Sequence, residues 1–242
     1  MKAIIFAAGL GTRLKPLTDR CPKALVLLNG KPLLWHSIQF LKKHGINELV
    51  VNVHHFADQI IDYLDTENFD ITIHISDERD ELLDTGGGLL KAKNVLEGNE
   101  PFVACNVDII SSIDLKKAIA YHQQNSPIAT LVVRKRETSR YFMFDNEMTL
   151  TGWKNCETGE NKISKNTFEQ SRPFAFSGIQ IVSPEIFNYI IERGKFSITP
   201  LYIRLSEKHK IIGYFDTSDF WLDLGKPGQI SVAEDYLSKQ KS

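Results

Sequence analysis

Ala3-Ile4-Ile5-Phe6-Ala7-Ala8-Gly9-Leu10-Gly11-Thr12-Arg13-Leu14-Lys15-Pro16-Leu17-Thr18 stands near the start of the chain and decides its fold class. Residues 3–7 are apolar without the polar alternation of a half-exposed strand. Such a run is expected of a strand in a parallel sheet covered by helices on both faces. The glycines directly after it let the backbone approach a ligand closely and turn its N–H groups inward as an anion nest. Arg13, and Lys23 further on, can add side-chain charge, arginine as a planar fork and lysine as a mobile point charge. The string is not a dinucleotide fingerprint, because Leu14 stands where G-x-G-x-x-G needs its third glycine, nor is it a Walker A loop. Read by themselves these residues fit either a tight strand-to-helix turn with surface basic side chains or a polyphosphate seat at the carboxyl end of the first strand, where open α/β sheets collect ligands. Ala8, Gly9, Gly11, Thr12, Arg13 and Lys23 are its expected members.

Beyond this segment the apolar periodicity alternates. A helix is predicted over 32–44, with Leu34, Ile38 and Leu41 on one stripe and Gly45 as its stop. Strands follow at 48–53, 71–75, 102–106 and 129–133, separated by helices at 57–64, 87–96 and 115–124. That order implies an α/β protein with a Rossmann-like, mixed but mostly parallel central sheet and helices on both faces. After Arg134 the pattern turns antiparallel, with strands at 141–144, 149–153 and 174–182 around a polar excursion at 155–172. A helix at 184–193, a strand at 211–215 and a last helix at 228–239 complete it. No linker or repeat divides the chain, so one domain over 1–242 is expected, its nucleotide half ending near 134 and its closing half covering about 135–242.

Composition narrows the function classes. With 42% hydrophobic and 24% charged residues the chain is an ordinary globular protein rather than a disordered or fibrous one. Its net charge of −1 lacks the basic excess that phosphate neutralisation demands of a nucleic-acid binder. Cys21, Cys105 and Cys156 form an odd set without metal-ligand spacing, which argues for a reducing, cytoplasmic setting. No apolar stretch approaches the roughly 18 residues of a membrane span, so no membrane partner is expected. The seven histidines show no H-E-x-x-H pairing and read as core or surface residues.

Two more places carry chemistry. Thr85-Gly86-Gly87-Gly88 opens a predicted helix, where each glycine costs about 1 kcal/mol relative to alanine. The run makes sense if a flat nucleobase lies against the backbone, which makes Thr85, Gly86 and Gly87 nucleotide-binding candidates. On propensity alone, Gly87→Ala or Gly88→Ala is expected to be neutral or to stabilise by up to about 1 kcal/mol. Asp108 follows the strand at 102–106, and Asp223 lies in Phe220-Trp221-Leu222-Asp223-Leu224-Gly225-Lys226-Pro227. Aspartates at such positions serve as turn residues or as metal ligands, and spacing leaves both open.

The string at 7–18 with Pro22-Lys23-Ala24-Leu25 resembles the signature of the sugar-1-phosphate nucleotidylyltransferases, A-A-G-x-G-T-R-L-x-P-L-T followed by P-K-x-L, at every specified position. The resemblance extends over almost the whole chain and implies a GT-A-like nucleotidyltransferase fold. It also implies that an NTP and a sugar 1-phosphate give an NDP-sugar and pyrophosphate. Arg13 would lie on the departing pyrophosphate, Lys23 near the α-phosphate, and Asp108 with Asp223 would hold Mg²⁺. Asn106, Trp153, Ser177 and Gly178 are expected on the sugar side, Trp153 being equally suited to core packing. The L-x-T-G-G-G form at 83–88 looks most like the single-domain N-acetylmuramate-1-phosphate uridylyltransferases and favours UTP with an amino-sugar phosphate. Guanylyl transfer to a mannose or heptose phosphate comes next, and cytidylyl transfer to phosphocholine third. One position departs from the pattern: Val107 stands where the family carries glycine before the metal aspartate. That departure supports a different class, a weakly active regulatory paralogue that binds a sugar nucleotide. The length leaves no room for the β-helix acyltransferase domain of bifunctional relatives, and a monomer or small homo-oligomer is expected.

Overall fold

The computed structural model describes residues 1–226 and 228–239. In the first half lie strands β1 (Lys2–Phe6), the short pair β2 (Leu27–Leu28) and β3 (Lys31–Pro32), helix α1 (Leu33–Lys43), β4 (Glu48–Val53), α2 (Ala57–Thr66) and β5 (Thr72–Asp77). Helices α3 (Asp84–Lys91) and α4 (Lys93–Leu96) lead to β6 (Phe102–Asn106), β7 (Ile109–Ser111), α5 (Leu115–Asn125) and β8 (Ala129–Arg134). Then follow β9 (Arg140–Phe144), β10 (Leu150–Asn155), β11 (Asn161–Ile163), β12 (Arg172–Val182), α6 (Ile198–Ser206), β13 (Ile211–Phe215), β14 (Trp221–Asp223) and α7 (Gly228–Lys239).

One ten-stranded sheet runs β11-β10-β9-β12-β6-β1-β4-β5, with β8 joining β12 and β13 off this path. The strands around β1 are parallel, and β12 enters antiparallel to β6, β8 and β9. The mixed sheet expected from the sequence is borne out. In β1, Ala3 and Ile5 pack in one core with α1 and α2, and Ile4 packs in a second core with α3 and α6. Burial on both faces is the reason the run at 3–7 carries no polar alternation. A third cluster joins Leu14 of the signature loop to Ile110 of β7, Leu224 beside β14 and Ala233 of α7. No helix among the described residues is long and apolar enough to cross a membrane.

Several elements differ from expectation. The helix foreseen at 184–193 is only a short 3-10 turn, Pro184–Asn188, and α6 was not foreseen, because Pro200 reads as a breaker although it falls in the first turn, where proline is tolerated. The strands β7 and β14 are three residues each, too short to show a period. The excursion at 155–172 contains β11 and a 3-10 turn at Phe168–Gln170.

The glycine run proves to be a packing surface for the chain itself. The N–H groups of Gly86 and Gly87 donate to the Phe196 carbonyl at 2.9 and 3.2 Å, and Phe196 N–H returns a bond to Leu83. Ile198 N–H donates to Thr85 Oγ1 at 3.0 Å, fastening the start of α6 to α3. A Cβ on Gly86 would meet the Phe196 ring, one on Gly87 the Gly194 carbonyl, and one on Gly88 would lie 2.8 Å from Glu78 Oε1 and 2.9 Å from Asn52 Nδ2. The expectation of neutral or stabilising alanines is therefore corrected. Overpacking against backbone and a fixed polar pair outweighs helix propensity, and Gly87→Ala or Gly88→Ala is expected to destabilise by about 1–3 kcal/mol. Urea unfolding of the two variants checks this; a rise in midpoint would restore the propensity account.

Candidate active site

Where β1, β4, β5 and β6 end, three cavities adjoin. The first, about 380 Å³, is lined by Ala7, Ala8 and Gly9 on one side and by Glu78, Leu82, Asp84, Thr85 and Lys195 on the other. The second, about 330 Å³, lies under the signature loop between Gly9, Arg13, Lys23 and Gly225. Gly9 and Lys23 belong to both. A third, about 260 Å³, opens toward β9, β10 and β12 and includes Trp153, Gly178, Trp221 and Asp223. Asn106 is shared between the first and the third.

A buried polar strut shapes the first cavity. Asn52, at the end of β4, accepts from the N–H groups of Ala7 and Ala8 at 2.6 and 3.2 Å. Its amide donates to Glu78 Oε1 at 2.8 Å, and Glu78 Oε2 accepts from Leu83 N–H at 3.1 Å. Both side chains are almost fully buried, Asn52 at 3% and Glu78 at 1% exposure. Burial pushes the Glu78 carboxyl above the usual carboxylate range, against the lowering effect of its bonds to Asn52 and Leu83. The strut thus fixes the exit of β1 relative to the start of α3. Asp84 begins that helix with φ +60°, and its Oδ1 accepts from Thr85 N–H at 2.6 Å. Gly11, at φ +64°, is also required: a Cβ there would lie 2.9 Å from Thr18 Cγ2. Thr18 in turn donates to the Gly11 carbonyl at 2.8 Å and holds the loop's curve.

The two aspartates meet through pairing that has no sequence signature. Strands β7 and β14 run antiparallel with Asp223 opposite Ile109, and Leu224 N–H donates to the Asp108 carbonyl at 2.9 Å. Lys23 Nζ pairs with Asp108 Oδ2 in a nearly buried contact. Burial first, and then the neighbouring Asp108 carboxylate, raise Asp223 above the usual carboxylate range. Asp223 Oδ1 is buried with no hydrogen-bond partner. Gly225 makes room for this corner, since a Cβ on it would lie 2.9 Å from Asp223 Oδ1 and 3.0 Å from an Arg13 guanidinium nitrogen. Two adjacent carboxylates with an unsatisfied oxygen suit a hard divalent cation. No group of three or more His, Cys, Asp or Glu residues suited to a metal occurs among the described residues, so Asp108 and Asp223 are the side chains that would hold an oxygen-preferring ion such as Mg²⁺.

Of the expected nucleotide residues, Ala8, Gly9, Lys23 and Thr85 line the first cavity, and Gly11, Thr12 and Arg13 line the second. Gly86 and Gly87 are buried behind that wall, against the 194–196 segment. On the sugar side, Asn106, Trp153 and Gly178 line the third cavity. Gly178, at φ +74°, sits where the register of β12 shifts, and a Cβ on it would lie 2.7 Å from Ile109. Ser177 is fully buried, with its carbonyl accepting from Trp221 Nε1 at 2.8 Å. Trp153 packs partly on the second core and lines the third cavity. Val107 is 4% exposed and belongs to the first core. Its N–H donates to Phe6 at 3.2 Å, and its carbonyl accepts from Ser37 at 3.0 Å.

Other lining residues were not foreseen. Asn52 and Glu78 end β4 and follow β5, so the strand-end rule applied to Asp108 would have found them. Lys195 follows the left-handed Gly194 in a loop with no periodic signal. Arg136 lines the third cavity from the basic run Arg134-Lys135-Arg136, which reads as a solvated surface.

Comparison with known proteins agrees with this geometry. Residues 2–240 match the family model described as Nucleotidyl transferase. N-acetylmuramate alpha-1-phosphate uridylyltransferase of Caulobacter vibrioides is 30% identical over 252 residues, covering 98% of this chain and 97% of that protein. Mannose-1-phosphate guanylyltransferase catalytic subunit beta of Xenopus tropicalis is 29% identical over 234 residues; the match covers 94% of this chain but 62% of the relative's length. Among solved structures, UDP-glucose pyrophosphorylase complexed with UDP-glucose superposes with a TM-score of 0.80 at 19% identity, covering 99% and 98% of the two chains. HddC from Yersinia pseudotuberculosis complexed with GMP-PN gives 0.79 at 22%, covering 98% and 99%. At these identities the structural likeness is one of fold.

The strut offers a direct test. Asn52→Ala leaves two backbone donors and a carboxylate oxygen without partners, each a loss of about 1–3 kcal/mol when buried. Clear destabilisation in urea is expected, together with a weaker grip on nucleotide because the exit of β1 is no longer held. Nucleotide binding measured by calorimetry at a temperature where the variant remains folded separates the two effects.

Proposed function

The chain belongs to the nucleotidyl transferase family, and from that membership we propose that it joins a nucleoside triphosphate to a sugar 1-phosphate, forming an NDP-sugar and releasing pyrophosphate. The observation that carries the proposal is the junction of the three cavities: Lys23 faces both nucleotide cavities, Asp108 lines the first and Asp223 the third.

The base lies in the first cavity, between the signature loop and the wall at Leu82–Thr85. The phosphates follow the loop, where backbone N–H groups and Arg13 take the pyrophosphate and Lys23 the α-phosphate. The acceptor enters the third cavity and turns a phosphate oxygen toward the α-phosphorus for in-line displacement. A phosphate monoester with a second pKa near 6 is largely dianionic at neutral pH, so no general base is needed. The chain's own work is positioning and charge neutralisation. Asp108 and Asp223 would hold Mg²⁺, which when bound neutralises charge on the reacting phosphates. Val107 has an unstrained backbone and packs into the core, which supports an active enzyme over a regulatory paralogue.

UTP with an amino-sugar 1-phosphate such as N-acetylmuramate 1-phosphate is the favoured pair. The glycine string and the near full-length match to the uridylyltransferase support it. Guanylyl transfer to mannose 1-phosphate is the second reading, supported by the guanylyltransferases of similar identity. We place the reaction in the cytoplasm, consistent with three unpaired cysteines.

Pyrophosphate release over the four NTPs with N-acetylmuramate 1-phosphate, mannose 1-phosphate and glucose 1-phosphate tests the proposal; absence of turnover with every pair at saturating Mg²⁺ overturns it. In the active pair, Asp108→Asn is expected to fold normally and to lose turnover by about 10²-fold or more, the several kcal/mol of a lost metal ligand. Lys23→Ala and Arg13→Ala should both slow the reaction well beyond any loss of stability. Arg13→Lys should rescue only in part, because the planar fork is gone.

A further inference from the structure

The third cavity contains a guanidinium that feels the Asp223 carboxylate of the same cavity but forms no direct ion pair with it. Arg136 lines its wall, with one terminal nitrogen donating to the Phe176 carbonyl at 3.0 Å and the other to the Glu137 carbonyl at 3.4 Å. Its central carbon lies 4.4 Å from the Trp221 ring centroid, and its Nε is buried with no hydrogen-bond partner. Trp221 cannot swing away, because its indole N–H is tied to the Ser177 carbonyl. Arg134 next to it is different: it pairs with Asp216 at 3.3 Å and donates to the Ser218 carbonyl at 2.8 Å. Arg136 makes no ion pair among the described residues. Holding a desolvated guanidinium on an aromatic face without a hydrogen-bonded anion is costly, and the cost is recovered when an anion that accepts its N–H groups enters.

We propose that Arg136, seated on Trp221, receives the phosphate of the acceptor and aims it at the nucleotide α-phosphorus. The inference rests on the sugar-1-phosphate reading above and adds the group that recognises the acceptor. A neutral sugar would leave the guanidinium unmatched, whereas a phosphate meets its fork with two hydrogen bonds. The same cavity contains Asp223 and Asn106, and Asn106 also faces the nucleotide cavity. A phosphate on Arg136 therefore stands on the side of the acceptor site from which the α-phosphorus is attacked.

Steady-state kinetics of the wild type, Arg136→Ala and Arg136→Lys, with N-acetylmuramate 1-phosphate and mannose 1-phosphate as acceptors, test this. The acceptor KM should rise about tenfold or more in Arg136→Ala, one charge-assisted contact's worth. It should rise less in Arg136→Lys, and the NTP KM should stay within about twofold in both. Tryptophan fluorescence adds a readout that a purely structural arginine would not produce. N-acetylmuramate 1-phosphate should change the emission of the wild type, N-acetylmuramic acid without the phosphate should change it far less, and Arg136→Ala should abolish the difference. If Arg136→Ala does not fold, Arg136→Lys and Arg136→Gln are judged by the same criteria. An unchanged acceptor KM in an active variant overturns the inference and leaves the function standing. A parallel rise of both KM values also overturns it, by showing that Arg136 only props the cavity wall. A wild type that turns over no sugar 1-phosphate overturns the function and the inference together.

Discussion

The carboxamide of Asn52, on β4, stands at the ends of the central parallel strands and satisfies groups from both β1 and β5 at once. It takes the N–H groups that β1 releases as it leaves the sheet, and it gives its own hydrogens to Glu78 beyond β5. Glu78 passes the constraint to Leu83, at the threshold of α3. In a low-dielectric interior such a network is cheap only when every member is paired, so its geometry tolerates little variation. The position of the signature loop against the wall at 82–85 follows from it. The missing Cβ of Gly88 follows from it too, since any side chain there would enter the Asn52–Glu78 bond.

The second half of the chain is coupled to the first at two places. One is the stitching of Phe196 and Ile198 onto α3, which brings Lys195 to the rim of the first cavity. The other is the pairing of β14 with β7, which delivers Asp223 to the side of Asp108. Both seams consist mainly of backbone hydrogen bonds, so the register of the two halves does not depend on long side chains finding one another. The apolar cluster of Leu14, Ile110 and Leu224 lies beneath the second seam and ties the signature loop to the same corner.

Electrostatically the cleft is built from deliberate imbalance. Asp108 has Lys23 for company, while Asp223 keeps a buried oxygen unpaired beside it. Across the third cavity Arg136 keeps an unpaired nitrogen on an aromatic floor. Each is costly in isolation and suits a species of opposite charge. Two complementary deficits in one cleft match a reaction in which phosphate groups and a divalent ion assemble together.

The fold class and the glycine loop after β1 were legible because they are written locally. An apolar run, glycines at the turn and a helix stripe around Leu34, Ile38 and Leu41 are properties of neighbouring residues, and backbone sterics and burial act on them directly. Asp108 was found the same way, from its place at a strand end. By contrast, nothing near Asp223 in the chain says which strand it will lie beside, because three-residue strands carry no period and their pairing is decided by tertiary register. The purpose of the glycines at 86–88 was equally hidden, since a missing side chain does not say which atoms fill the space. Arg136 carries no local signal of a role, and only Trp221, far away in sequence, sets its place by packing against it. What the sequence determined by itself is the chemistry on each local element; which of those elements face one another, and therefore which charges are left unpaired in the cleft, only the packing of the sheet decided.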